Sequence, residues 1–220
     1  MFTKYRYWFS TPNTQWPIPL ENMWYSFDIG PIHFISYSTE VYFLDNEQYA
    51  NKQNDWLVQD LITASINRTA HPWIIAFGHR SMYCSDTAKD CSKADSKVRA
   101  GLENTFFTYG VDLVIQAHGS SYERLYPHYK GQVVGNSYTN PKAPVQIITG
   151  TAGLQTNTNT DTTQNSWSAV RLGEKGYNSF SKLKVYNTSH LFWEQVSSKD
   201  KKVLDSVWIV SERHGAFIAP

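Results

Sequence analysis

The stretch VDLVIQAHGSSYERLYP, residues 111–127, decides the fold. Its first residues are almost all apolar, which is typical of a short strand buried on both faces of a sheet. The strand ends near His118, which begins a turn of small residues. Because ligands gather at the carboxyl ends of strands in α/β proteins, a histidine at this position raises the question of a metal site.

Two strands and a helix are predicted upstream. Residues 24–44 alternate aromatic or β-branched residues with polar ones around Gly30-Pro31, so they predict two strands joined by a turn. Residues 45–67 place apolar side chains at helical spacing, and Asp45 is the predicted N-cap of this helix.

A further strand and helix lead to the opening stretch. Residues 72–80 form an apolar run that ends in Gly78-His79, and residues 95–108 predict a helix that Gly110 terminates. Short apolar strands joined by helices predict parallel neighbours in one sheet. His79 and His118 each follow such a strand, so we expect them to face one crevice.

The rest of the chain is rich in strand patterns. They occupy residues 143–150, 166–172, 177–187, 189–196 and 202–210. With short connections and little helix between them, they predict an antiparallel meander on the edge of the α/β part. The polar stretch 156–166 predicts a loop. No repeat or linker divides the chain, so residues 1–220 predict a single domain.

Composition excludes several classes of protein. The chain has 220 residues, 41% of them hydrophobic, which is typical of a folded globular domain. With 20 basic and 19 acidic residues and no polybasic tract, the sequence predicts no nucleic-acid partner. No run approaches the roughly 20 apolar residues of a membrane span. The first 19 residues lack the apolar core of a signal peptide.

Other features favour an oxidising compartment. Cys84 and Cys91 are the only cysteines, and their short separation favours a local disulfide over two free thiols. Asn67-Arg68-Thr69 and Asn187-Thr188-Ser189 match the acceptor pattern for N-glycosylation. Together these features favour a secreted protein, although the first residues do not resemble a leader.

Four segments together resemble the carboxyl-terminal half of the purple acid phosphatases, in the metallophosphoesterase superfamily, and most of all the animal iron/zinc type. These segments are FGHRSMYCSDTAKDC (77–91), VDLVIQAHGSSYERLYPHY (111–129), VQIITGTAG (145–153) and SWSAVRLGEKGY (166–177). The resemblance runs from about residue 4 to residue 211. It implies a partial metallophosphoesterase β-sandwich flanked by helices, an α/β (α+β) fold with a carboxyl-terminal antiparallel β meander.

The resemblance also implies a function and a location. A binuclear iron/zinc or iron/iron centre would hydrolyse phosphate monoesters in an extracellular or lysosomal glycoprotein. His79 and His118 match two histidines that bind the divalent metal in this family, whereas Ser120 falls at the position of an iron-binding histidine. The family motifs that supply the remaining ligands are not found in these 220 residues. We therefore expect weak zinc binding at most, and no catalysis by this chain alone.

Three neighbouring residues have two interpretations. Tyr122, Glu123 and Arg124 either support the metal-binding loop through hydrogen bonds or form a buried ion pair that fixes the turn, and we favour the second. For the whole chain, the alternative function is a non-catalytic secreted binding protein. A mononuclear zinc hydrolase would need a third ligand, which the sequence does not nominate. An exposed sheet edge predicts self-association.

Overall fold

The structure is a computed structural model that describes residues 2–12, 14–85, 89–119, 121–152, 165–172 and 178–219. The helices are α1 (Thr3–Trp8), α2 (Gln48–Ile66), α3 (Lys89–Ser92) and α4 (Lys97–Thr108), with 3-10 turns at Leu20–Asn22 and Glu40–Phe43. The first strands are β1 (Tyr25–Ile29), β2 (Ile32–Ser36), β3 (Trp73–Phe77), β4 (Leu113–Gln116), β5 (Tyr122–Leu125) and β6 (His128–Tyr129). The later strands are β7 (Gln132–Val133), β8 (Val145–Thr149), β9 (Ser168–Leu172), β10 (Ser179–Val185), β11 (His190–Ser197) and β12 (Val203–Val210).

A seven-stranded mixed sheet forms the centre of the fold, in the order β1-β2-β3-β4-β8-β5-β9. Strands β2, β3, β4 and β8 are parallel neighbours, and the outer strands pair antiparallel. Strands β10, β11 and β12 form a separate antiparallel sheet, while β6 and β7 form a short ribbon. The predicted α/β fold with a carboxyl-terminal antiparallel meander is therefore confirmed.

Alternating residues of β3 explain how the layers assemble. Successive side chains of a strand point to opposite faces. Ile74 and Ala76 lie in the core that contains the buried side chains of α2 and α4. Trp73 and Ile75 lie in the second core, together with Trp193 of the meander. The central sheet is thus covered by helices on one face and by the meander on the other.

A row of polar side chains joins the meander to the end of β8. The Gln195 amide donates to Ser179 Oγ at 2.7 Å and accepts from Ser181 Oγ at 2.5 Å. Thr149 Oγ1 lies 2.7 Å from Ser181 Oγ, and Thr151 Oγ1 lies 2.5 Å from Ser179 Oγ. We call these five residues the polar ladder. It satisfies buried polar groups that would otherwise destabilise the interface between the two sheets.

Several boundaries differ from the prediction. Helix α2 begins at Gln48, so its N-cap is Glu47 rather than the predicted Asp45, and the Gln48 amide donates to Asn46 Oδ1. The second predicted strand stops at Ser36, before a 3-10 turn. Residues 156–164 of the predicted loop lie outside the described residues.

Two strands assigned to the meander belong instead to the central sheet. Strand β8 is apolar except for Gln146 and its last residue, Thr149, so it fits between β4 and β5, where both of its faces are buried. Strand β9 pairs with β5, which the sequence did not predict because Tyr122-Glu123-Arg124 is polar. None of the helices in the described part of the chain combines the length and apolar character needed to cross a membrane.

Candidate metal site

His79 and His118 lie at the carboxyl ends of the parallel neighbours β3 and β4. Beyond the last paired residues, the Gly78 amide donates to the Ile115 carbonyl at 3.1 Å, and the Ala117 amide donates to the His79 carbonyl at 2.9 Å. These two hydrogen bonds hold the loops side by side. The sheet therefore brings the two histidines together, as their positions in the sequence predicted.

The two imidazole rings are in direct contact. His118 Nδ1 lies 3.0 Å from His79 Nε2, and the ring centroids are 4.8 Å apart in an edge-to-face arrangement. Both residues are exposed. The backbone of His118 has φ of 63°, in the left-handed region that few residues other than glycine adopt. Such strained positions cluster at functional sites, which is consistent with a ligand-binding role for this loop.

Two glycines permit the close packing of these loops. A Cβ atom at Gly78 would collide with the ring of Tyr37, and one at Gly150 would collide with the carbonyl oxygen of Gly119. A larger residue at either position would displace the loop that carries His79 or His118. Glycine at positions 78 and 150 is therefore needed to bring the two rings together.

Arg80 dominates the electrostatics of the site. Its guanidinium contacts Glu40 at 2.7 Å and Asp90 at 2.7 Å, and Nη1 lies 3.3 Å from His118 Nε2. Because a guanidinium can only donate, His118 Nε2 accepts from it, and the His118 proton on Nδ1 is donated to His79 Nε2. Burial and the neighbouring His118 ring lower the pKa of His79, which favours its neutral form.

The described residues do not fit a complete binuclear metal centre. Within them, no three His, Cys, Asp or Glu side chains are arranged so that they could hold a metal ion. Two neutral imidazoles leave the usual four-coordinate zinc site half filled and offer no carboxylate for iron. Ser120, at the position of the missing histidine, lies outside the described residues. His79 and His118 can therefore supply only part of a coordination shell.

Tyr122 and Arg124 point away from the histidines. The carboxylate of Asp205 accepts from Tyr122 Oη at 2.7 Å and from two Arg124 nitrogens at 2.7 and 2.9 Å. Burial raises the pKa of the Asp205 carboxyl, but the hydrogen bonds from Arg124 and Tyr122 outweigh it, and the pKa is lowered. We call Tyr122, Arg124 and Asp205 the buried lock, because it ties β5 to β12.

The acid that pairs with Arg124 is therefore Asp205 and not Glu123, its neighbour in the sequence. Glu123 faces the other side of β5, where its carboxylate accepts from the Ser85 amide at 2.9 Å. Asp205 occupies an inward position of β12, between Val203 and Val207. A charged residue at an inward position of a strand is a signal for a buried ion pair, and it could have identified Asp205 from the sequence.

Arg80 was also missed as a site residue. It directly follows His79, but its acidic partners Glu40 and Asp90 lie in other segments, so only the fold reveals the cluster.

Cys84 and Cys91 are joined by a disulfide with an S–S distance of 2.11 Å, close to the loop that carries Arg80. The acceptor residues Asn67 and Asn187 are exposed.

Comparison with known proteins points to one family. A family model described as iron/zinc purple acid phosphatase-like protein C matches residues 143–206. Acid phosphatase type 7 of Homo sapiens is 45% identical over 96% of this chain and 51% of its own length. Its counterpart in Danio rerio is 42% identical over 97% of this chain and 52% of its own length. The chain thus spans about half the length of these relatives.

A relative with a different name also matches. The probable inactive purple acid phosphatase 1 of Arabidopsis thaliana is 31% identical over 89% of this chain and 32% of its own length.

Two solved structures share the fold. Purple acid phosphatase PPD1 from yellow lupin seeds has a TM-score of 0.68 and 24% identity, and covers 86% of this chain and 32% of its own. GAP50, the anchor in the inner membrane complex of Plasmodium, has a TM-score of 0.64 and 18% identity over 86% of this chain and 54% of its own.

These matches agree with the motif positions quoted from the sequence. The relatives align across nearly the whole chain, and the family model covers β8 through the first half of β12. The resemblance predicted from the four segments is therefore confirmed: the chain contains a purple acid phosphatase-like C domain and corresponds to about half the length of its acid phosphatase relatives.

Proposed function

We propose that this chain supplies part of the active site of a metal-dependent hydrolase of phosphate monoesters. The observation that supports this proposal is the contact of His79 Nε2 with His118 Nδ1 at 3.0 Å, at the ends of two parallel strands. Neutral imidazoles are ligands for zinc and for iron. An iron/zinc or iron/iron centre would be complete only when donors from outside the described residues join these two histidines.

Catalysis by this chain alone is not expected. Binuclear hydrolases use both metal ions to hold the attacking and leaving oxygens. Two imidazoles beside the Arg80 cation would bind one zinc ion weakly at most. We therefore propose that the chain, by itself, leaves phosphate monoesters unhydrolysed.

Zinc titration of the purified chain tests the metal-binding part of the proposal. Isothermal calorimetry should detect at most one weak site, which His79→Ala and His118→Ala both remove. His71→Ala, at the opposite end of β3, is the matched control and should bind zinc like the original chain. Tight zinc binding that survives both site substitutions would contradict the proposal.

Complementation tests the catalytic part. The chain should not hydrolyse 4-nitrophenyl phosphate at pH 5, but it should do so when joined to the half of human acid phosphatase type 7 that the match leaves uncovered. His118→Ala should abolish this activity, and Ser120→His should raise it by restoring the imidazole of the family motif. Turnover by the chain alone that is unaffected by His118→Ala would refute the proposal.

A non-catalytic binding protein is the second candidate. Two observations favour it: Ser120 replaces a motif histidine, and the Arg80 guanidinium lies where a cation would approach His118 Nε2. If the complemented protein binds no metal and Ser120→His does not restore hydrolysis, this second function replaces the first.

The structure also supports proposals on the cellular location, the domain organisation and the self-association of the protein. We propose an extracellular or lysosomal location, which the Cys84–Cys91 disulfide supports because disulfides persist in oxidising compartments. We also propose that residues 1–220 fold as a single domain. The outer strands β1 and β9 leave the chain prone to self-association through a sheet edge. Size-exclusion chromatography would reveal such association as a concentration-dependent shift in apparent mass.

A further inference from the structure

The outer face of the meander carries an exposed aromatic surface. Lys184, Phe192 and Trp208 are directly opposite one another on β10, β11 and β12, so their side chains form a row on one face. The ring of Tyr186, just past the end of β10, lies 4.7 Å from that of Trp208. Tyr186 and Trp208 are 57% and 44% exposed. We call Tyr186, Phe192 and Trp208 the aromatic face.

This face is not explained by the fold. The opposite face of the meander packs Leu191, Trp193 and Ile209 into the core against the central sheet. The aromatic face, in contrast, has no covering layer in the described part of the chain. Contiguous exposed aromatic residues mark a surface that another molecule covers.

The turn beside the aromatic face has a fixed backbone. The Asn187 carbonyl accepts from Trp73 Nε1 at 3.1 Å, and the Thr188 carbonyl lies 2.8 Å from His214 Nε2. The Ser189 carbonyl accepts from the Ser211 amide at 2.9 Å. The three carbonyls of this acceptor triplet are therefore anchored to the body of the protein.

The side chain of Asn187 is arranged differently. Its Oδ1 accepts from the Ser189 amide at 2.9 Å and from Ser189 Oγ at 3.1 Å. Its Nδ2 makes no hydrogen bond within the described residues, and Asn187 is exposed. The amide nitrogen to which a glycan attaches is thus available, directly next to Tyr186 in the chain.

We propose that Asn187 carries an N-linked glycan and that its first sugars cover the aromatic face. The Cys84–Cys91 disulfide indicates passage through an oxidising compartment of the type in which such glycans are added. A pyranose ring presents C–H groups on one side, which pack on the faces of Tyr and Trp rings, while its hydroxyl groups remain in water.

The attachment is a balanced group transfer. Asn187 Nδ2 attacks the anomeric carbon of an oligosaccharide linked to a polyisoprenyl diphosphate. The new C–N bond forms as the C–O bond to the diphosphate breaks, the amide nitrogen loses one proton, and the lipid diphosphate leaves. The cell supplies the transferase and the lipid-linked donor.

Two substitutions at one position test whether the glycan is present. The chain is expressed with a secretion leader in a eukaryotic host, and the peptide that contains Asn187 is analysed by mass spectrometry. Ser189→Ala should abolish the glycan at Asn187, whereas Ser189→Thr keeps the acceptor pattern and should retain it. An unmodified Asn187 in folded, secreted protein, in both the original chain and Ser189→Thr, would overturn the proposal.

Stepwise trimming tests whether the sugars cover the aromatic face. Endoglycosidase H leaves one sugar on the asparagine, and peptide N-glycosidase removes all sugars. Tryptophan fluorescence should stay unchanged after the first enzyme and shift to the red after the second, and Trp208→Ser should lose the shift. Self-association should rise only after complete removal. If complete removal changes neither property, or if Trp208→Ser shows the same shift, the sugars do not cover this face.

Discussion

The segment from His118 to His128 crosses two regions whose polar groups are satisfied in different ways. At its start, His118 is exposed and contacts a second histidine and a guanidinium, with the Asp90 carboxylate 3.7 Å away. A few residues later, Tyr122 and Arg124 are buried and share the Asp205 carboxylate in three hydrogen bonds. His128 is buried too, with Nδ1 2.7 Å from the Tyr126 carbonyl.

Within this one motif, the buried residues stabilise the fold, whereas the exposed residues form the candidate binding site. Groups in the buried lock find their partners inside the chain, so removing one leaves another unpaired in the interior. The exposed histidines use their acceptor nitrogens in contacts with each other and with Arg80, and water or an incoming ligand can replace these exposed contacts. We therefore expect substitutions in the buried region to change stability strongly, and substitutions in the exposed region to change binding instead.

The largest effect is expected for Asp205→Ala. This substitution leaves the Arg124 guanidinium buried without its carboxylate, which costs about 3–5 kcal/mol for a buried pair. Urea unfolding followed by circular dichroism measures the change in the free energy of unfolding. Asp200→Ala removes an exposed carboxylate from the neighbouring turn and should cause no measurable change.

A double substitution separates loss of the pair from loss of packing. Arg124→Met combined with Asp205→Leu removes both charges and should recover most of the stability that Asp205→Ala loses. If Asp205→Ala and Asp200→Ala prove equally mild, the buried lock does not stabilise the fold and the contrast between the two regions disappears.

The second effect is a pH dependence that originates at His128. Burial lowers the pKa of His128 from 6.5 to about 4, so between these values the unfolded chain binds a proton that the folded protein does not. The free energy of unfolding should therefore rise by about 3 kcal/mol as pH increases from 4 to 6.5. In His128→Gln this component should vanish, which urea unfolding at a series of pH values would measure.

His33 provides the opposite case for that experiment. Burial lowers its pKa, but hydrogen bonds to Asp60 and Asp28 at 2.9 and 2.7 Å outweigh burial, and the pKa is raised. Its stabilisation is present below the unfolded pKa of 6.5 and is lost as pH rises through the folded value. His33→Gln should therefore leave the slope between pH 4 and 6.5 unchanged. A flatter slope between pH 4 and 6.5 in His33→Gln would show that the pH dependence comes from His33 and not from His128.

A smaller effect is expected for Arg80→Leu. Its ion pairs with Glu40 and Asp90 are partly exposed, and pairs of this kind contribute about 0.2–1 kcal/mol each. Urea unfolding should show a loss of about 1 kcal/mol, and high salt should reduce the difference. A loss as large as that of Asp205→Ala would show that the exposed region is also part of the scaffold.

The smallest effect is expected at His118 itself. His118→Ala removes an exposed ring and keeps the left-handed backbone, whereas His118→Gly relieves the strain of φ at 63°. The glycine variant should be about 1 kcal/mol more stable than the alanine variant, and the original chain should resemble the alanine variant, because both keep a Cβ atom in the left-handed region. Thermal unfolding measures this difference. Equal stabilities would mean that the backbone of this loop relaxes when the histidine is removed.

Most of the fold was predictable because period-2 and period-3.6 patterns are local. Strands β3 and β4 and helix α4 follow from apolar spacing and from the turn at Gly110. Strand β5 was not predictable, because its polar side chains become acceptable in the interior only through partners distant in the sequence, Asp205 for Tyr122 and Arg124 and the Ser85 amide for Glu123. The start of α2 was misjudged because the helix begins after Glu47, a residue whose side chain makes no capping hydrogen bond and so gives no sequence signal.

The candidate site, like the fold, was predictable only in part. The pairing of His79 with His118 was predictable from the strand-end rule, since both strands read clearly as buried. The Arg80 cluster was not, because Glu40 and Asp90 come from separate segments whose approach depends on the folded loops. Sequence patterns thus located the two neighbouring histidines but not the charges that surround them.

The polar ladder has a consequence for how the molecule opens. Gln195 on β11 bonds to Ser179 and Ser181 on β10, and these serines contact Thr151 and Thr149 at the end of β8. The meander therefore cannot separate from the central sheet without exposing the buried Ser179, Gln195 and Thr151 at once. Amide protons of β8 and β11 should therefore exchange with solvent deuterium through the same opening event. Strands β8 and β11 would then behave as one cooperative unit, with fraying at the outer strands β1 and β9.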